Sequence, residues 1–188
     1  MGLGDTLFGR KKLKEPADER LFALTTAAVT LQVECGLDFA GKGALVFKPL
    51  SASAFDDVVK AADELLDSVA QDSGSKITRD TDTFGFEWVI VGDAQLEDAV
   101  ASIHLLAGEL DQQGFGDRLL AALFRFKGYQ HPVYWVYGYK DGAFWPFVPS
   151  GGQERDNAQE LELKAKLEPE LPIEADLSKW FAMFDAPL

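Results

Sequence analysis

Cysteine and histidine are nearly missing from this chain of 188 residues: Cys35 stands alone and His104 and His131 are the two histidines. A single cysteine excludes an intramolecular disulfide, and a cytoplasmic address is the default expectation. Neither histidine has a second His or Cys at a zinc-like spacing, so both read as structural or surface residues. Long apolar runs are also lacking. None approaches the ~18 residues of a membrane-spanning helix, and the first residues lack the basic, apolar, small pattern of a secretory signal. Basic charge is scarce as well, with 18 Lys and Arg against 31 Asp and Glu.

What basic charge there is gathers at the start. Residues 1–14 hold Arg10, Lys11, Lys12 and Lys14 against Asp5, a net of +3, leaving 14 basic and 30 acidic side chains elsewhere, a net of −16. A body so acidic repels phosphate, which disfavours nucleic acid as a partner and suits solubility or a basic partner. In the arm of residues 1–14, Leu3, Leu7 and Phe8 precede the basic cluster Arg10, Lys11 and Lys12. That composition suits an interfacial or partner-docking segment. Gly2, Gly4 and Gly9 weaken any helix, and a frayed terminus is the equal alternative.

The remaining 15–188 read as one acidic domain, long enough to bury a core and with an apolar fraction of 47%. Pro16 can open a helix running to about Cys35, in one or two pieces, although Val29, Leu31 and Val33 alternate as a strand would. Residues 43–50 read as a strand. Ser53 with Asp56 resembles a capping box, and Phe55, Val58, Val59, Ala62, Leu65, Leu66 and Val69 place an apolar stripe on a helix to about Gln71. Strands follow at 76–80 and 84–91, then a helix over 93–113 with Leu96, Val100, Ile103, Ala107 and Leu110 on one face. Three more strands span 119–127, 133–139 and 143–148, the last two joined through Asp141-Gly142, a strong hairpin signal. Asp156 can cap a helix whose third residue is Gln159, running to about Leu167. The fold class is therefore α+β: a largely antiparallel sheet of about five or six strands flanked by helices.

All four tyrosines lie between Tyr129 and Tyr139, with Trp135 and Trp145 nearby. Tyr134, Val136 and Gly138 alternate with Trp135, Tyr137 and Tyr139, so both faces of that strand are aromatic or small. This fits a central strand covered by helices on one side and by the tail with Trp180 and Phe181 on the other, better than an exposed recognition patch. Catalytic signatures are lacking: no G-x-S-x-G elbow frames a serine, although a triad assembled in space stays open. Asp80, Asp82 and neighbours resemble the start of a calcium loop, but Val91 stands where the bidentate Glu is required. No cofactor is implied. Gly151 and Gly152, followed by Arg155, Asp156 and Asn157 at a helix start, offer an interaction or anion site. The residues favour over this a turn that uses positive φ, with Arg155 in a local salt bridge.

Several of these segments carry a family likeness: Gly9-Arg10-Lys11-Lys12, Phe47-Lys48-Pro49, Phe84-Gly85-Phe86-x-Trp88 and Gly114-Phe115-Gly116. Further along come Phe144-x-Pro146-Phe147-x-Pro149-x-Gly151-Gly152, Arg155-Asp156-Asn157-Ala158-x-Glu160-Leu161 and Leu171-Pro172-x-Glu174-x-Asp176-Leu177-Ser178-x-Trp180-Phe181. In their order and spacing the chain resembles the actinobacterial PspA-associated protein PspAB family. The resemblance implies a role beside PspA, the membrane-associated phage-shock protein of the envelope stress response, with a second small Psp-associated protein and a membrane metalloprotease as family companions. It brings no catalytic motif. A looser likeness, of fold alone, is to secretion chaperones. Together these point to a non-enzymatic cytoplasmic adaptor or regulator that binds a protein partner, with the arm offering peripheral contact at the inner face of the membrane. The alternative is a small-molecule or anion-binding domain at Gly151-Gly152-Arg155.

Overall fold

The computed structural model describes residues 19–49 and 74–188, together with Ser53, Asp57, Lys60 and Glu64. The arm of residues 1–14, Pro16 and the apolar stripe of the 53–71 helix lie outside the described residues. The helical Ser53, Asp57, Lys60 and Glu64 are all exposed.

Six strands form one antiparallel sheet: β1 (Asp38–Phe47), β2 (Lys76–Thr81), β3 (Glu87–Gly92), β4 (Leu119–Lys127), β5 (Val133–Gly138) and β6 (Ala143–Phe147), in the order β2-β3-β1-β4-β5-β6. Four helices flank it among the described residues: α1 (Ala23–Thr26), α2 (Ala28–Val33), α3 (Leu96–Gln112) and α4 (Asn157–Leu167). A small second sheet pairs β7 (Pro149–Gly151) with β8 (Glu154–Arg155). The class is the expected α+β.

The segment after Glu19 is helical and broken, as a 3-10 turn (Glu19–Phe22) leads into α1 and α2. Its alternating Val29, Leu31 and Val33 do not make a strand: Leu31 is buried and the two valines are exposed. β1 begins five residues before the expected Gly43, because a bulge between Phe39 and Lys42 carries the pairing with β4 back to Asp38. α3 packs against β1. Gly43 permits this close approach, since a Cβ there would lie 2.8 Å from Ile103 Cδ1 and 3.2 Å from the Phe124 ring.

Strand alternation divides the interior in two. Leu45, Phe47, Val89, Val91, Phe124, Trp135 and Tyr137 face the helices and form the main core with Leu31, Val100, Ile103 and Leu163. Ala44, Val46, Trp88, Leu123, Tyr134, Val136, Trp145 and Phe147 face the opposite way and are covered by the tail through Trp180. Every residue of β5 is buried, which matches the two-sided strand expected from its sequence. It lies one strand in from the β6 edge, however, and the middle of the sheet is β1 and β4.

Candidate functional site

The second sheet face is apolar, and one segment of chain has to close it. After α4, residues 172–174 run beside the sheet edge: Phe144 N donates to Pro172 O (2.8 Å) and Glu174 N to Phe144 O (2.9 Å). Asp176 then caps the 3-10 turn Leu177–Lys179, accepting from Ser178 N (3.0 Å) and Ser178 Oγ (2.6 Å). These bonds hold the Asp176 carboxyl below the usual aspartate range. The turn delivers Trp180 onto the sheet, where its Nε1 donates to Glu174 O (2.9 Å). Beyond it, Trp145 Nε1 donates to Phe181 O (3.1 Å), and Phe184 meets Phe147 edge-on at 5.1 Å.

The tail closes only part of the face. Between it and the sheet lies a groove of about 690 Å³, with Val46, Trp88, Leu120 and Trp145 among its apolar walls and Phe181, Met183 and Phe184 on the tail side. That volume falls within the ~300–1,000 Å³ of ordinary ligand sites. Phe84 and Phe181 also line it, and they are 73% and 64% exposed. Exposed aromatics beside an apolar concavity mark an interaction surface more strongly than scattered exposed residues do. The rim is charged: Asp82, Asp117, Asp141, Glu174 and Asp185 against Lys48, Lys140 and Lys179. Lys179 is already engaged, 3.1 Å from Asp141 and 3.4 Å from Glu174.

Asp82 builds the other wall. Its Oδ1 accepts from Phe84 N and Phe86 N, both at 2.9 Å, and its Oδ2 accepts from Trp88 Nε1 at 2.9 Å. The residues that imitated a calcium loop thus form a self-contained hairpin turn. Among the described residues no group of three or more His, Cys, Asp or Glu is placed to hold a metal ion. His104 packs edge-on against the Phe22 ring at 4.9 Å.

The Gly151-Gly152 turn carries φ of 121° and 60°, which glycine adopts readily. Asp156 caps α4 as its sequence indicated, accepting from Gln159 N at 3.0 Å, and Asn157 opens the helix on the surface. Arg155 points inward. Its Nε lies 2.9 Å from both Glu160 oxygens, its Nη1 donates to Trp180 O at 2.8 Å, and the guanidinium sits 5.3 Å from the Phe147 ring centre. Glu160, which sequence reasoning missed, is the hub: it is buried and also accepts from Val148 N at 2.8 Å. Burial raises its pKa above the ordinary value, while Arg155 and the Val148 N–H oppose that shift. The predicted site is therefore a clamp holding tail, β6 edge and α4 together. Of Trp135, Tyr137, Trp145 and Arg155, named in the aromatic stretch and the glycine turn, Trp135 and Tyr137 lie in the helix-side core and Arg155 is in the clamp. Trp145 alone of them lines the groove.

Phe84 was visible in the sequence only as a member of a family segment; Phe181 was expected to cover the sheet with Trp180, but it is 64% exposed. Both line the groove because the β2–β3 turn and the tail lie on the same face of the sheet. No helix among the described residues is long and apolar enough to cross a membrane. Comparison with curated proteins and with solved structures finds no match. Against families the result is different: the model of PspA associated protein B matches residues 1–188, and the chain belongs to that family, PspAB.

Proposed function

We propose that this chain is a non-enzymatic cytoplasmic adaptor that binds a protein partner, PspA or a companion protein, in the groove on the tail-covered face of its sheet. The carrying observation is the pairing of exposed Phe84 and Phe181 at an apolar concavity on an otherwise acidic molecule. The family description, association with PspA, supports PspA as the partner. The non-enzymatic reading rests on the sequence, in which no catalytic motif frames a nucleophile.

Partner binding at such a surface concentrates in a few aromatic anchors, so the reading is tested by a photo-crosslinking residue at position 84 of the full chain. Mixed with purified PspA, it should yield a covalent adduct, and the same residue at exposed Leu161, on α4, should not. Equal adducts from both positions, or none from position 84, would remove the groove from the interaction.

A further inference from the structure

The described chain begins at the groove's rim. Arg20 Nη1 donates to Gly142 O at 2.8 Å and approaches Asp141 O at 3.5 Å, and Asp141 lines the groove. Phe8 lies eleven residues before Glu19. At ~3.3 Å per residue those residues span up to roughly 36 Å, whereas the five strands from β6 to β3 span only about 19 Å at ~4.8 Å per step. Reach is therefore no obstacle.

Chemistry matches as well. The arm carries Leu3, Leu7 and Phe8 followed by Arg10, Lys11, Lys12 and Lys14, a net of +3 over residues 1–14. The groove offers an apolar floor, two exposed phenylalanines and a rim with five acidic and three basic side chains, of which Lys179 is already ion-paired. The opposite face of the sheet is filled by the helices.

We propose that the arm of the same chain occupies this groove, with Leu3, Leu7 and Phe8 against its apolar floor and the basic cluster along its acidic rim. The arm is then a built-in competitor, and a protein partner binds by displacing it; that consequence rests on the function proposed above, whereas the docking itself does not. An arm that fills the groove nine-tenths of the time weakens partner binding about tenfold.

The test uses the full chain. A nitroxide is attached at Gly4→Cys, where the thiol is selectively labelled because Cys35 is buried and burial pushes its thiol pKa up. The indole N–H signals of Trp88 and Trp145, which hydrogen-bond to Asp82 and to the Phe181 carbonyl, report on the groove, and that of Trp135 reports on the helix-side core. Selective broadening of Trp88 and Trp145, abolished by Leu7→Glu/Phe8→Glu, is the expected result. Unbroadened signals overturn the proposal. So does broadening seen only between a labelled copy and a separate isotope-enriched copy, which makes a second chain the occupant. Broadening that needs no Leu7 or Phe8, or arm protection that arises only on anionic phospholipid vesicles, overturns it too. Affinity for purified PspA is measured on the same double variant. A rise of about tenfold supports displacement. Broadening with unchanged PspA affinity leaves the arm in the groove and places the partner site elsewhere.

Discussion

Glu160 shows how much of this molecule hangs on one carboxylate. Buried at the start of α4, it holds the Val148 N–H and the Arg155 guanidinium, and Arg155 in turn holds the Trp180 carbonyl. Glu160→Ala leaves a half-buried cation and a backbone donor without their partner. It should lower stability by about 3 kcal/mol, measured by urea unfolding. Gly43 is the steric counterpart. A methyl group there meets Ile103 and Phe124, both fully buried, so Gly43→Ala should cost about 1–3 kcal/mol in the same assay. At this scale the sequence was legible where chemistry is local. Asp156 and Gln159 stand at cap spacing, and the glycines at 151 and 152 announced a turn. Glu160 was not legible: within NAQELELKAKL it looks like one more solvated acid, and its partners are supplied by the strand and hairpin before the helix. Asp82 is similar, because its bond to Trp88 Nε1 depends on the hairpin closing.

Among the elements, the tail is the least autonomous, and a short capped turn sets its path. The depressed pKa of Asp176 means its ionised form is favoured by the fold. The corresponding stability is present above the ordinary aspartate range and is lost as pH falls through the lowered value. Acidification through that range should therefore loosen the tail before the sheet melts. Trp180 and Trp145 indole signals should shift while those of Trp135 stay fixed, and Asp176→Ala should show the loosened signals at neutral pH. The β5–β6 hairpin was legible from two-sided apolar alternation and Asp141-Gly142. The early start of β1 was not, because Gly41, Lys42 and Gly43 break any strand pattern and the pairing there comes from β4 across a bulge. Strand order was equally hidden, since β1 pairs with β3 and β4 through connections that no local signal specifies.

For the whole molecule, the decisive asymmetry is between the two sheet faces. Among the described residues, helices pack on one and a short tail on the other, where an apolar groove lies on a chain with a formal net charge of −13. That groove draws on β1, β3, β4, β6, the β2–β3 turn and the tail, so no single segment of sequence displays it. Phe84 and Phe181 can be changed without disturbing the core, because most of each side chain is in solvent. The most direct test is the affinity of the full chain for purified PspA, compared with that of Phe84→Glu/Phe181→Glu. If the groove is the docking surface, the double variant should bind at least about tenfold more weakly, a loss of about 1.4 kcal/mol or more, with its melting temperature unchanged. Equal affinity at an equal melting temperature would contradict it.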